Sequence, residues 1–161
     1  ADYPQDSGTI YINIDGVLHS IRACVPAMRK QGGGRIVLIS SISSAVPMPY
    51  AASYGASKTF IRSLAASLRM ELEADHITMT EMRLGRVATQ FNQHRLGAKG
   101  YAANASSLPA MAAEQVARAI ADQVARPRKT VILRWFDRLI QLAGMIAPNF
   151  VGRRALKQYK T

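Results

Sequence analysis

The sequence predicts an α/β fold, with a doubly wound parallel sheet that helices cover on both faces. Short apolar runs rich in β-branched residues alternate with longer segments whose apolar residues recur at helical spacing. The clearest run, Ile36 to Ile39, contains no polar residue, as is typical of a strand buried on both faces of a parallel sheet. The whole chain, residues 1–161, is expected to form one domain built around about three strands.

The first part of the chain is predicted to be a helix followed by a strand. The helix runs from about Asp6 to Met28, and its predicted buried face comprises Ile10, Asn13, Val17, Ile21, Cys24 and Met28. Three glycines, Gly32 to Gly34, then end the helix and precede a strand from Arg35 to Ser41. They are not read as a phosphate-binding loop, because a dinucleotide loop follows a strand and opens a helix.

The remaining elements repeat this alternation of helix and strand. A long helix is predicted from Ser53 or Tyr54 to about Ala74, followed by a strand from Ile77 to Met82. A further helix from Ala112 to Ala125 is stopped by a proline and leads into a last strand from Thr130 to Leu133.

The C-terminal segment, about residues 134–161, is basic and amphipathic. Its predicted apolar face comprises Trp135, Phe136, Leu139, Ile140, Ala143 and Ile146, and its polar face comprises Arg134, Asp137, Arg138 and Gln141. Such a helix can lie in a membrane interface. More often its apolar face packs on the protein's own core or on a partner, and we favour that interpretation. The tail from Pro148 to Thr161 is expected to be frayed.

Composition argues against a nucleic-acid-binding, a secreted and a membrane-spanning protein. The chain carries 21 Lys and Arg against 10 Asp and Glu, a net charge of +11, but the basic residues do not alternate with aromatic ones, so we expect no nucleic-acid partner. There is no signal-peptide pattern, and no apolar run reaches the ~18 residues that a membrane span needs. The single Cys24, expected to be buried, excludes an intrachain disulfide and fits a reducing compartment. We predict a cytoplasmic protein, with peripheral membrane contact as the less favoured alternative.

The spacing of Tyr54 and Lys58 indicates a candidate acid/base site. Residues four apart on a helix lie one turn apart on the same face. An ammonium beside a phenol favours the phenolate, so a group that ordinarily titrates near ~10 becomes a plausible acid or base near neutral pH. Ser41 follows the apolar strand, at the edge where open α/β sheets bind ligands. The spacing alone is weak, since such pairs also begin ordinary amphipathic helices.

The context of this pair resembles the short-chain dehydrogenase/reductase family. The matching segments are a serine, Ser41, thirteen positions before the tyrosine of YGASK, together with NIDG, VPAM, GGGRIV, MEL, HITMT and LGRVAT. The resemblance implies a Rossmann-like fold of which this chain holds the second half. It also implies a nicotinamide cofactor, NAD or NADP, and an alcohol or ketone substrate, which the apolar C-terminal helix suggests is lipophilic.

The resemblance also assigns roles to individual residues. It implies that Tyr54 is the general acid/base, Lys58 its pKa-lowering partner and ribose contact, Ser41 the carbonyl binder, and Asn13 of NIDG the residue that holds a relay water. Cofactor contacts fall on Tyr54, Lys58 and the segment after the second strand, namely Gly85, Val87 and Thr89. Leu84 stands where the family usually has a proline, which leaves the path of that loop open.

A segment without helical or strand period, residues 88–110, is interpreted as a substrate lid. His94 and Arg95 within it could touch substrate, although a lone loop histidine is more often solvated. His19 and His76 lie at no metal-ligand spacing, so no metal site is predicted.

The glycine-rich turn and the adenosine-binding strands of the family are missing ahead of Asn13. We therefore expect a portion of a longer enzyme rather than a short protein, because a three-stranded half-sheet would leave an apolar strand edge open. The resemblance further implies a homo-oligomer formed through the two central helices. The alternative is a catalytically silent module that uses the same helices only to dimerise or to dock on a membrane.

Overall fold

A parallel sheet of three strands lies at the centre of the computed structural model, which describes residues 3–89 and 109–157. The strands are β1 (Gly34–Ser41), β2 (Ile77–Leu84) and the short β3 (Thr130–Val131), in that order across the sheet. Both pairs are parallel, and Ser41 is in register with Leu84. The predicted α/β class and strand number are confirmed, although β3 is shorter and β2 longer than the sequence pattern indicates.

Helices precede, connect and follow these strands. They are α1 (Tyr3–Ile10), a π-helical turn (Tyr11–Asp15), α2 (Gly16–Lys30), a 3-10 turn (Ile42–Ala45), α3 (Ala52–Glu71), α4 (Ala113–Ala125), α5 (Trp135–Ile146) and α6 (Pro148–Lys157). The predicted first helix is thus divided by a wider turn. The frayed tail predicted after Pro148 is wrong as far as Lys157, because α6 occupies that stretch. Within the described residues, no helix combines the length and the apolar character that a membrane crossing needs.

Helices pack on both faces of the sheet, as a doubly wound arrangement requires. On one face, α2 and α3 enclose the main core, which comprises Ile21, Val25, Leu38, Ile61, Ala65, Leu72, Ile77 and Met79. On the other face, the guanidinium of Arg35 donates to the carbonyls of Val124 and Ala125 at the end of α4. The alternation of side chains along β1 therefore sends Leu38 and Arg35 to opposite helical layers.

The end of α2 is formed by glycines, as predicted. Gly33 donates its backbone N–H to the carbonyl of Met28 at 2.9 Å, and Gly32 and Gly33 have φ angles of 83° and 148°. A side chain at Gly33 would meet the carbonyl oxygen of His76 at 2.9 Å. The turn from α2 into β1 therefore needs glycine both for its backbone conformation and for its close approach to the loop before β2.

The predicted buried face of the first helix is wrong at two positions, because Cys24 is exposed and Ile10 is 37% exposed. Ile21 and Val25 turn toward the sheet and define a narrow buried stripe on α2. Cys24 lies at the margin of that stripe. Its thiol is free and accessible to solvent in this chain.

Candidate active site

Tyr54 and Lys58 lie together near the start of α3, directly after the loop that follows β1. The Lys58 Nζ atom is 5.7 Å from the centroid of the Tyr54 ring, within the range of a cation–π contact. Tyr54 is half-buried, so its ring is not sealed inside the packing. The helical spacing of the two residues thus brings an ammonium and a phenol together at the carboxyl end of the sheet.

Lys58 is anchored to the end of β1. Its Nζ donates to the carbonyl of Ile39 at 3.2 Å, and its own carbonyl accepts from the hydroxyl of Ser40 at 3.3 Å. Burial lowers the pKa of Lys58 from its ordinary value of 10.5, because a desolvated site disfavours the charged form. The end of β1 therefore positions the Lys58 amine, and the burial of that amine makes it easier to deprotonate.

Asn13 reaches this helix through a buried serine. Its Nδ2 donates to the hydroxyl of Ser57 at 3.1 Å, and that hydroxyl donates to the carbonyl of Tyr54 at 2.8 Å. Ser57 is 0% exposed and lies one residue before Lys58. Sequence reasoning singled out Asn13 but missed Ser57; the available signal was a polar residue on the buried side of an alanine- and glycine-rich helix start.

Ser41 ends β1 and is half-buried. Its hydroxyl accepts from the backbone N–H of Ser43 at 3.2 Å, which makes Ser41 the N-cap of the 3-10 turn. A hydroxyl that accepts from a backbone amide still has its own proton to donate. The cap fixes the position of the oxygen and leaves that proton available for another acceptor.

The loop after β2 contains the three predicted cofactor contacts Gly85, Val87 and Thr89. Val87 forms a parallel bridge with Met111, whose carbonyl accepts from Ala88 at 2.8 Å. Because Ser41 and Leu84 are in register, this loop leaves the sheet at the same edge as the Ser41 hydroxyl. Val87 is half-buried and Thr89 is exposed.

An ion pair covers Gly85. Arg134 and Asp137 bind each other through two parallel hydrogen bonds of 2.7 Å and 2.9 Å, and Asp137 is 1% exposed. A Cβ atom at Gly85 would collide with the guanidinium of Arg134 and the carboxylate of Asp137. The absence of a side chain at this position lets the ion pair close over the loop.

The prediction that the apolar face of this helix packs on the protein's own core is therefore wrong, and its alternative, packing on a partner, stays a prediction. The buried positions of α5 are Asp137, Gln141 and Gly144, on its polar side. Arg83 of β2 donates to Gln141 Oε1 at 2.8 Å and to Glu81 Oε2 at 2.7 Å. Polar partners in the sheet thus hold the polar face of α5 inward, and its apolar face is left outside.

The model of the short chain dehydrogenase family matches residues 6–99. This chain belongs to that family. Among curated relatives, it is 30% identical to a dehydrogenase/reductase SDR family protein 7-like of Anopheles gambiae, over 80% of this chain and 41% of that protein. It is 31% identical to dehydrogenase/reductase SDR family member 4 of Sus scrofa, over 52% of this chain and 30% of that protein. The chain therefore spans less than half the length of these family members.

Solved structures of family members share the fold. A short-chain dehydrogenase of Burkholderia cenocepacia in complex with NADP matches with a TM-score of 0.77 and 20% identity, over 97% of this chain and 61% of that one. A short-chain dehydrogenase of Sphingobium yanoikuyae in complex with NADPH matches with a TM-score of 0.68 and 24% identity, over 92% of this chain and 54% of that one. The predicted Rossmann-like architecture is confirmed.

At the carboxyl edge, Lys58 has chemistry that suits the ribose next to a nicotinamide. Its amine gives one hydrogen bond to the Ile39 carbonyl and has further N–H donors for sugar hydroxyls, whereas the side-chain position of Gly85 is already occupied by the Arg134–Asp137 ion pair. No glycine-rich loop follows a strand and opens a helix within residues 3–89 and 109–157, so the described part offers no pyrophosphate cradle. Most of the predicted lid, including His94 and Arg95, lies outside the described residues.

Proposed function

We propose that this chain is the catalytic half of an NAD- or NADP-dependent oxidoreductase that interconverts an alcohol and a ketone. One observation carries the proposal: the Lys58 ammonium lies 5.7 Å from the ring of a half-buried Tyr54. The pair stands at the carboxyl edge of a parallel sheet, where such sheets bind their ligands. Membership in the short chain dehydrogenase family supports the oxidoreductase class.

Tyr54 is the proposed general acid/base. In the direction of reduction its hydroxyl donates a proton to the substrate oxygen, and in the direction of oxidation its phenolate takes that proton from the alcohol. The neighbouring Lys58 cation favours the phenolate electrostatically and is positioned by the Ile39 carbonyl. Ser41 donates a hydrogen bond to the same substrate oxygen, because its capped hydroxyl retains a free proton.

Asn13 has two proposed contributions. Its amide fixes α3 through Ser57, and it holds a water in the route by which Lys58 exchanges protons with solvent. When bound, the nicotinamide ring supplies the acceptor or donor of the hydride. Gly85, Val87 and Thr89 are proposed to line the nicotinamide, and Tyr54 and Lys58 to contact the adjoining ribose.

The proposed substrate is a ketone or alcohol. The proposed assembly is a homo-oligomer through α2 and α3. Ala56 and Ala66 are exposed on α3, which would allow the helix of another copy to approach closely, whereas Ala65 is packed on its own sheet. The two solved family members are complexes with NADP and with NADPH, which supports a nicotinamide cofactor here but does not select between NAD and NADP.

The decisive experiment compares Tyr54→Phe with the unmodified full-length protein in NADH- and NADPH-linked turnover of a panel of aliphatic and aromatic ketones. Loss of a general acid/base should lower kcat/KM by about 10²-fold or more. Tyr11→Phe removes the same hydroxyl from a ring that is 65% exposed, and should leave turnover unchanged. Equal rates for Tyr54→Phe and the unmodified protein would refute the assignment, and retained nucleotide binding in the variant would separate the chemical step from cofactor capture.

A further inference from the structure

Several large apolar side chains of α5 and α6 are exposed to solvent. We call them the α5–α6 surface, and they are Trp135, Leu139, Leu142, Met145, Ile146 and Phe150, all more than half exposed. We propose that this surface docks the protein on a bilayer of anionic phospholipid, with α5 lying in the plane of the membrane interface. The helix is too short and too polar to span the membrane, so it would rest on one leaflet.

The packing of α5 fixes this outward orientation. Asp137 and Gln141 are 1% and 4% exposed, and each is bound by an arginine. Gly144 lies against the backbone of Ala45, where any Cβ would collide. A rotation of α5 that buried Trp135 or Ile146 would break these contacts and leave buried charges unpaired, which is costly. The apolar face therefore cannot be hidden by a small adjustment.

The charges beside this face select an anionic partner. From Arg138 to the end of the chain there is no acidic residue, whereas five residues are basic, namely Arg138, Arg153, Arg154, Lys157 and Lys160. Arg153, Arg154 and Lys157 are exposed on α6, next to Phe150. Apolar side chains bordered by Lys and Arg are the composition that interfacial helices use on acidic lipid.

The same charges disfavour a second copy as the occupant. A contact between two copies through this surface would bring two sets of Arg and Lys into one interface, and like charges that share an interface oppose association. Further strands of the family's sheet would also not cover the α5–α6 surface, because they would add at another place. Among the described residues, the outer edge of β1 has no partner strand, while α5 packs on the 3-10 turn and is bonded to β2.

Trp135 makes the proposal directly measurable. It is the one tryptophan of these 161 residues and is 72% exposed at the start of α5. The full-length protein is mixed with vesicles of equimolar phosphatidylcholine and phosphatidylglycerol, or of phosphatidylcholine alone, and the Trp135 emission is taken as the difference from a Trp135→Phe variant. We expect a blue shift and co-sedimentation with the anionic vesicles, and both should be lost in high salt.

Matched variants separate the apolar and the charged contributions. Leu139→Ser/Ile146→Ser and Arg153→Glu/Arg154→Glu should each weaken vesicle binding about tenfold or more. Val124→Ser and Arg118→Glu/Arg126→Glu alter exposed residues on or directly after α4, outside the proposed oligomer interface, and should bind like the unmodified protein.

Four results would overturn the proposal. They are an unchanged Trp135 emission with anionic vesicles, equal losses in the matched control variants, a Trp135 already protected from acrylamide quenching without lipid, and a concentration-dependent dimer that accounts for the blue shift.

Discussion

The Nζ atom of Lys58 lies 3.2 Å from the carbonyl oxygen of Ile39, on the side of α3 that also carries the Tyr54 ring. This contact ties α3 to the last residues of β1. A hydrogen bond to a carbonyl favours the charged amine, whereas burial of the same group disfavours it. Burial is the dominant effect, since the pKa of Lys58 is lowered from its ordinary value.

The lowered pKa of Lys58 predicts a pH dependence of stability. Between the folded pKa and the unfolded value of 10.5, the unfolded chain binds more protons than the folded one, so the free energy of unfolding rises with pH in that window. Urea unfolding from neutral to alkaline pH should show this rise, and it should be absent in Lys58→Met. Lys30→Met, at an exposed lysine, should retain the rise. An identical pH slope in Lys58→Met would contradict the desolvation argument.

The hydrogen bond between Asn13 and Ser57 predicts energetic coupling between the π-helical turn and α3. Ser57→Ala should lower the free energy of unfolding by about 1 kcal/mol, because it removes the acceptor of a part-buried amide. Asn13→Ala and Ser57→Ala should be non-additive in a double-mutant cycle by a similar amount. Ser63→Ala, at an exposed position of α3, should change stability by less than about 0.5 kcal/mol. Strict additivity would show that the bond does not couple the two elements.

The ion pair over Gly85 predicts a sharp intolerance to a methyl group there. Gly85→Ala should displace Arg134 and Asp137, lower the free energy of unfolding by about 1–3 kcal/mol and raise the KM for the nicotinamide nucleotide. Gly55→Ala adds the same group where the nearest atom, Met48 Cβ, is 3.5 Å away, and should be tolerated. A Gly85→Ala protein with unchanged nucleotide KM would argue against a cofactor role for the loop.

Removal of the buried carboxylate of Asp137 tests what holds α5 in place. Asp137→Ala leaves the guanidinium of Arg134, whose side chain is 12% exposed, without its bidentate partner. Breaking a buried pair in this way typically costs about 3–5 kcal/mol, to be measured by denaturant unfolding. Asp122→Ala removes an exposed carboxylate from α4 and should be near neutral. Equal stabilities for the two variants would mean that other contacts set the orientation of α5.

A homo-oligomer through the central helices predicts sensitivity at Ala66. Ala66→Arg places a long charged side chain on the exposed face of α3 and should shift sedimentation toward the monomer. Ala121→Arg makes the same change on α4, outside the proposed interface, and should leave the oligomer intact. Dissociation by both variants, or by neither, would assign the interface elsewhere.

Features governed by local sequence were predictable, and features governed by distant partners were not. The Ile36–Ile39 run and the four-residue spacing of Tyr54 and Lys58 determine a strand and a shared helix face without reference to the rest of the chain. The hydrophobic pattern of α5 did not indicate its inward side, because contacts with distant residues hold that side; one of them is the hydrogen bond from Arg83, more than fifty residues earlier in the chain. Long-range polar contacts of this kind leave no periodic signal.

Two smaller errors have the same origin. Cys24 falls within the apolar period of its helix, yet only Ile21 and Val25 of α2 are buried in the fold. Ser57 looks like an ordinary small helix residue until Asn13 is seen to donate to it across 44 positions of chain. The roles assigned to Asn13, Ser41, Tyr54 and Lys58 remain predictions, since they rest on the family resemblance and on proximity.

The π-helical turn at Tyr11–Asp15 changes the rotation of α1 about the helix axis relative to α2. One extra residue in a turn rotates everything before it by about 100° relative to an unbroken α-helix. This rotation lets Asp6 of α1 accept from the hydroxyl of Ser53 while, within the turn, the Asn13 amide still meets Ser57. Deletion of a single residue in this turn would restore a continuous α-helix. Either the Asp6–Ser53 or the Asn13–Ser57 hydrogen bond would then be lost.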